Sequence, residues 1–220
     1  APPEVYYATV PDRACNFISW PDIAAYADWS ALRPMSELEY EKICRGPLEP
    51  FPDECAWGNP FIFNQEYTLA NANSPNSLVT NPGTGTGNAV YGPTRPGGVS
   101  QPMRCGIFAA SAVTKSRQET GASYYGVMEL SGNNWELVVT TGHIEGRQMN
   151  GLNHGNGIIS AAGASTVSSL PPDTGEGTGV RGGGNGNSLE DLKVSSRRLG
   201  SLPISSRFSD VGGRLVRSRL

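Results

Sequence analysis

The segment that most constrains the fold of this chain is residues 126–136, which have the sequence GVMELSGNNWE. A Ser-Gly-Asn-Asn turn separates a short apolar run from a Trp-Glu pair. The residues that follow, LVVTT at 137–141, are typical of a strand. Two carboxylates, Glu129 and Glu136, flank the turn carbonyls. Hard cations such as calcium prefer such oxygen ligands, so the segment predicts a turn, a strand and a candidate metal site.

Composition predicts one loop-rich domain. A chain of 220 residues is long enough to bury a sizeable core. Its 28 glycines and 17 prolines, with charged residues at only 17%, favour short strands, long loops and one or two helices. The net charge of −3 gives no reason to expect nucleic acid or an anionic membrane as a partner.

No segment is predicted to span a membrane, because the longest apolar run, at about residues 106–113, is far too short. The first residues do not form a positively charged, apolar leader. The start Ala1-Pro2-Pro3 is typical of processing or of a chosen boundary. We therefore expect a secretory signal to have preceded this numbering.

Four cysteines are present, Cys15, Cys44, Cys55 and Cys105, and none forms a C-x-x-C pair. A zinc ribbon or a thioredoxin-like site is therefore a poor interpretation. An even count in a chain rich in Gly, Asn, Ser and Thr fits two disulfides in an oxidising compartment. The alternative is four buried thiols, and spacing alone leaves the pairing open.

Two helices are predicted near the N-terminus. Ser19 is a candidate N-cap, followed by an early proline, and the first helix runs to about residue 29. Ser36 and Glu39 form a capping-box pattern that starts the second helix, which runs to about Cys44. We expect residues 46–104 to form long surface loops of the same domain, because their aromatic residues need a core. Strands are expected at 5–10, 137–141, 193–197 and 213–217.

Six short motifs occur in the order in which they occur in the formylglycine-generating-enzyme (sulfatase-modifying-factor) superfamily, which has a C-type-lectin-like fold. They are CNFISW at 15–20, DWSALRPMSELEYE at 28–41, AWG at 56–58, YGVMELSGNNWE at 125–136, VRGGG at 180–184 and GGRLVR at 212–217. The resemblance covers about residues 14–217. It implies an α+β fold with two short helices, a small twisted antiparallel sheet and long loops, as a single domain over residues 1–220.

The family's opening strand and first helix are missing from this resemblance. We therefore expect the chain to be the C-terminal portion of the family domain. In this fold the first strand normally pairs with the closing strand, so strand 213–217 is expected to have an unpaired edge. Another subunit, or another domain of a longer precursor, is expected to complete the sheet.

The resemblance also indicates that the chain is not an enzyme. The family's catalytic cysteine pair belongs just after the RGG motif, but Gly184 is followed by Asn185 and no cysteine. Copper-thiolate oxidation needs those soft ligands. Related sulfoxide synthases need three histidines on iron, whereas only His143 and His154 occur here, and both are expected at the surface.

Calcium is the cofactor that the resemblance implies. Matched by position, its ligands are the side chains of Glu129 and Glu136 and the carbonyls of Gly132 and Asn134. In the alternative interpretation Glu129 is solvated and Glu136 accepts hydrogen bonds from turn amides. A second family calcium falls near residues 71–73.

Cys15 and Cys44 lie at family-typical places, whereas Cys55 and Cys105 depart from the pattern. The disulfides expected from this resemblance are Cys15–Cys44 and Cys55–Cys105.

The function implied is a non-catalytic, lectin-like module for recognition or assembly. Many family members without the cysteine pair are surface adhesins or receptor-binding proteins, and some are diversified between RGG and the terminal GFR, here residues 185–211. We expect a secreted or bacterial cell-surface location and a protein or glycan ligand. The exposed ligand-binding candidates are Asn185, Asn187, Glu190, Asp191 and Arg198.

Two other functions stay open. One is an oxidase of the formylglycine-generating type or a nonheme-iron relative. The other is a purely structural subunit of a secretion, motility or phage-like assembly. The four tryptophans, at 20, 29, 57 and 135, are expected in the core rather than on a sugar-stacking platform.

Overall fold

The structure is a computed structural model that describes residues 7–8, 10–152 and 154–218. The expected α+β architecture is confirmed, with five α-helices within the described ranges rather than two. The helices are α1 (Trp20–Trp29), α2 (Glu37–Arg45), α3 (Ile107–Ser111), α4 (Ile144–Gln148) and α5 (Leu189–Leu192). The strands are β1 (Arg33–Pro34), β2 (Leu69–Ala70), β3 (Leu78–Val79), β4 (Trp135–Val139), β5 (Thr178–Arg181), β6 (Val211–Gly213) and β7 (Leu215–Val216). In this part of the chain, no helix is long and apolar enough to cross a membrane.

The two longest helices begin at capping boxes. The amide of Ser36 donates to Glu39 at 2.9 Å, and the amide of Glu39 donates to the Ser36 hydroxyl at 3.2 Å. The same reciprocal pair joins Ser19 and Asp22 at the start of α1. Each pair satisfies amides that the first helical turn leaves without a partner, so both helix starts were predictable locally.

The central sheet has the order β5-β4-β6, with β4 and β5 antiparallel and β4 and β6 parallel. Every residue of β4 is buried, because α1 covers one face and α2 the other. Leu137 and Val139 pack with Trp20 of α1, whereas Val138 packs with Tyr40 of α2. The continuous apolar run of β4 is therefore typical of a strand covered on both faces.

The closing segment forms two short strands rather than the single strand expected at 213–217. Within residues 211–216, β6 pairs with β4 and β7 pairs with β1. One edge of β7 is paired because the chain returns after α1 at Arg33 and lies beside Val216, whereas no strand of the described residues pairs with its other edge. No strand forms at 193–197: Val194 is buried, but its amide donates to Glu54 O in a loop contact.

Of the strand expected at 5–10, residues 5, 6 and 9 lie outside the described residues. Tyr7, Ala8 and Val10 are not in a strand. The aromatic residues of 46–104 do find a core, in which Tyr67 packs with Phe108 at 5.0 Å between ring centroids. Three tryptophans are buried as predicted, but Trp29 is 60% exposed on α1.

Arg181, the last residue of β5, is fully buried beneath α2. Its guanidinium pairs with Glu37 at 3.0 Å and Glu41 at 2.9 Å, and it donates to Val194 O at 2.6 Å. The guanidinium also lies 5.2 Å from the centroid of the Tyr40 ring. This cluster ties the central sheet, α2 and the segment after α5 together.

Asp28 is a second fully buried charge, and it has no basic partner among the described residues. Its carboxylate accepts hydrogen bonds from the amides of Asn156 and Thr166 and from the hydroxyls of Ser165 and Thr166, at 2.7–3.1 Å. Burial acts to raise the pKa of Asp28, but these donors outweigh it and lower the pKa below its usual value. The carboxylate therefore pins loop 155–166 onto α1.

We expect Arg181→Met to lower the free energy of unfolding by about 3 kcal/mol, because it removes the buried guanidinium that Glu37 and Glu41 share and leaves them with Arg45 and the half-exposed Arg197. Urea denaturation measures this. Arg207→Met is the matched control, since Arg207 is exposed and its pair with Asp22 should contribute far less. Equal losses in the two variants would contradict the role assigned to Arg181.

We expect Asp28→Asn to lower the free energy of unfolding by about 1–3 kcal/mol. The side-chain NH2 group of asparagine is itself a donor, so it would face the amide and hydroxyl donors that the carboxylate accepts from. The folded-state pKa is depressed, so the contribution of Asp28 is complete above the unfolded pKa of about 4 and is lost as pH falls through the folded value. Unfolding curves of both proteins over an acid series would show this. A stability difference that does not shrink at low pH would contradict the assignment.

Candidate functional site

A cavity of about 160 Å³ lies beside the 131–134 turn. Its walls come from distant parts of the chain: the segment before α1, the segment before α3, the turn itself and the link between β6 and β7. The side chains that matter for its chemistry are Cys15, Cys105, Glu129, Asn134, Glu136 and Arg214. The structure therefore brings both predicted carboxylates to one site.

The turn is held by the chain around it. Gly132 has a φ of +86°, and a Cβ there would lie 2.5 Å from Val90 O, so only glycine fits. The amide of Gly132 donates to Gly182 O at 2.8 Å, which joins the turn to the RGG motif. The Ser131 hydroxyl accepts from Ala56 N and donates to Leu192 O. These contacts fix the positions of the residues that flank the turn.

Glu136 is buried and forms an ion pair with Arg214, whose Nε lies 2.5 Å from its Oε1. Arg214 also donates to Met128 O at 2.7 Å. Burial raises the pKa of Glu136, and the guanidinium only partly offsets this effect. The cation that balances Glu136 is thus part of the protein.

Glu129 is 9% exposed and has no ion pair within the described residues. Its Oε1 accepts one hydrogen bond, from Gly106 N at 2.8 Å. Burial raises its pKa, against the effects of the Gly106 amide and of Arg214. Its φ of +57° is rare for a residue with a side chain, and such strain is common at ligand sites.

Asn134 has one satisfied and one unsatisfied end. Its Nδ2 donates to Cys15 O at 3.0 Å. Its Oδ1 is buried and has no hydrogen-bond partner in the part of the chain that the structure describes. Buried acceptors of this kind are uncommon and call for an explanation.

The donor set fits calcium poorly. Arg214 holds the Glu136 carboxylate, and Gly132 contacts Val90 and Gly182 rather than lining the cavity. The described ranges contain no group of three His, Cys, Asp or Glu that could hold a metal. Calcium needs six to eight oxygens, and calcium binding at this turn stays a prediction. At the second expected site, Asn73 accepts a hydrogen bond from Arg13.

All four cysteines, each within the described residues, are free thiols, and the two predicted disulfides are absent. Cys15 and Cys105 are exposed at the cavity, whereas Cys44 and Cys55 are buried in two apolar clusters. Each predicted pair joined a cavity thiol to an interior one, which the packing separates. Burial raises the pKa of Cys44 and of Cys55 to about 12.

Only part of the predicted binding segment is accessible. Asn185 is fully buried and donates to Asn133 O, so it was wrongly placed at the surface. Asp191 is also buried, because it accepts from Arg198 at 2.7 Å. Asn187 is half-buried and accepts from Gly184 N at 2.8 Å.

Glu190 and Arg198 are exposed as expected, and both are ion-paired. Neither histidine takes part in the cavity. His143 caps α4, and His154 accepts from Ser218 N.

The most accessible part of the segment lies later, at residues 201–209, which we call the display loop. All nine residues are described, and each is exposed except Ile204. Ile204 packs in the core beside Trp20, whose amide donates to Ile204 O at 2.8 Å. Sequence reasoning missed this anchor, although an isolated isoleucine among serines was a usable signal.

We expect iodoacetamide to alkylate Cys15 and Cys105 in the native protein, and Cys44 and Cys55 only after unfolding. The pKa of Cys105 is raised, chiefly by burial and also by Glu129, so its alkylation should need a higher pH than that of a free cysteine. Peptide mass spectrometry measures the modification at each site. Two intact disulfides in the non-reduced protein would contradict the structure.

The comparisons with known proteins agree with the fold. The family model for the sulfatase-modifying factor enzyme 1-like domain matches residues 3–219. No curated protein was found to match the chain. The family match spans the helices, the central sheet, the cavity and the display loop, and the chain therefore belongs to the sulfatase-modifying factor enzyme 1-like, or formylglycine-generating-enzyme, family.

Proposed function

We propose that this domain is a non-catalytic recognition module that binds a protein or glycan ligand through the display loop. The observation that carries the proposal is the contrast between the loop and its support. Eight of the nine residues in the display loop are exposed, and the ninth, Ile204, is buried in the core. That core contains the central sheet, which α1 and α2 cover. A rigid scaffold that holds an exposed loop is a common arrangement for binding.

The chemistry of the display loop supports binding. Leu202 and Phe208 are 45% and 46% exposed, and Arg207 stands beside them, paired with Asp22 of α1. Phe17, also exposed, lies next to the loop, because its amide donates to Phe208 O at 3.0 Å. Exposed aromatic and arginine side chains are enriched at the energetic centres of interfaces.

The place of the family's catalytic cysteines supports a role without catalysis. Asn185 stands there, and its side chain is used in hydrogen bonds with Asn133 O and the Ser100 hydroxyl. The interior thiols of Cys44 and Cys55 stay protonated near neutral pH, because burial raises their pKa. Metal-thiolate oxidation requires deprotonated cysteines. Turnover of a cysteine-containing peptide with copper would contradict this part of the proposal.

Export, to a bacterial cell surface or into a large extracellular complex, belongs to the same proposal. It rests on the resemblance to non-catalytic members of the family. A secretion assay of the protein in a bacterial host tests it directly, and retention inside the cell would count against it.

Assembly is a second candidate function, favoured by a groove of about 600 Å³ next to β7. Its apolar lining comes from Ile18, Ile23, Tyr26, Leu32 and Leu215. A strand from another subunit or domain would bury these side chains and extend the sheet. A monomeric protein that binds glycans through the display loop would argue against this role.

We expect Phe208→Ala to weaken ligand binding by about tenfold or more, because truncation of a central aromatic typically costs about 2 kcal/mol. Binding of the labelled domain to a glycan array and to intact bacterial cells is measured. Phe61→Ala is the matched control, since Phe61 is 64% exposed outside the display loop. An equal loss in both variants, or none in Phe208→Ala, would contradict the proposed surface.

A further inference from the structure

The cavity beside the 131–134 turn holds oxygen atoms that lack donors. Asn134 is only 7% exposed, and its Oδ1 accepts no hydrogen bond from the described residues. The Glu129 carboxylate accepts a single hydrogen bond, from Gly106 N. Both residues line the same cavity. The missing partner is therefore a hydrogen-bond donor rather than an acceptor.

The charges that line the cavity point to a cation. Glu129 and Glu136 contribute two negative charges, and Arg214 contributes one positive charge. Arg214 pairs with Glu136 and donates to Met128 O, so its single charge is placed on Glu136 rather than on Glu129. Glu129 has no salt-bridge partner in the described residues. A bound positive charge would remove this imbalance.

The walls favour an organic cation over a metal ion. The Cys15 and Cys105 side chains are soft and weakly polar, which a hard cation such as calcium does not select. A volume of about 160 Å³ also exceeds what a bare ion needs. A primary ammonium carries three donors and no acceptor. It can donate to Glu129 and Asn134 while its methylene chain contacts the thiols.

We propose that this cavity binds a primary ammonium group, carried either by a small alkylamine or by a lysine side chain of a protein ligand. The inference deepens the proposed recognition function and rests on it for its biological meaning. Neither Leu202 nor Phe208 lines the cavity, so the two sites can be tested with separate variants.

Binding of n-butylammonium chloride and of a short peptide with one lysine is measured by NMR titration. The Nε-acetylated peptide, which keeps the shape but lacks the charge, is the ligand control. We expect saturable shifts at the amides of Gly106 and Asn134 with the amines and none with the acetylated peptide. A response to butylammonium alone assigns the site to small amines, and a tighter response to the peptide assigns it to a protein ligand.

Glu129→Gln should raise the dissociation constant for the amines at least about tenfold, because a hydrogen bond to a charged acceptor is lost. The glutamine keeps an oxygen for the Gly106 amide, so the fold should be retained. Glu49→Gln, at an exposed position, is the matched control and should bind like the wild type.

Thiol protection is a second measurement that needs no variant. Bound amine should slow alkylation of Cys15 and Cys105, while Cys44 and Cys55 stay unreactive throughout. Equal binding of the acetylated peptide, saturation by calcium without any response to amines, or no binding of any probe would each overturn the proposal. Loss of glycan or cell binding in Phe208→Ala, with amine binding unchanged, would leave both proposals standing.

Discussion

The buried guanidinium of Arg181 is the interaction on which the arrangement of this domain depends. It connects the end of β5 to two carboxylates of α2 and to the backbone at Val194. A charge that is removed from water is tolerated only with several well-placed partners. Because the cluster joins β5 to two other segments, the position of α2 over the sheet and the course of the chain after α5 are specified together.

Buried carboxylates have three different kinds of partner in this protein. Glu37 is matched with an arginine, and Asp28 is surrounded by amide and hydroxyl donors from a long loop. Glu129 is left with one donor beside a cavity. In the first two arrangements the chain itself supplies the partners of the carboxylate, and these contacts stabilise the fold. The third is incomplete, and this incompleteness is what distinguishes a candidate binding site from a structural charge.

Local signals in the sequence predicted much of the fold, and long-range contacts explain what they missed. The capping box at Ser36 and the apolar run of β4 depend on neighbouring residues, so both were found. Val194 resembles a strand residue only because it is apolar, and its burial is fixed by a loop contact. The cavity could be predicted only in part: Glu129 and Glu136 flank a turn, but Arg214 arrives from 78 residues beyond Glu136.

The single anchor of the display loop has a consequence for how this protein can change over time. Ile204 is the one point between residues 201 and 209 at which the loop enters the core. The side chains on either side are exposed, so substitutions there remove no core packing, and lengthening a flexible loop costs little entropy. Under the proposed recognition function, specificity can thus change by substitution on either side of one isoleucine, while the requirement for folding falls on Ile204 itself.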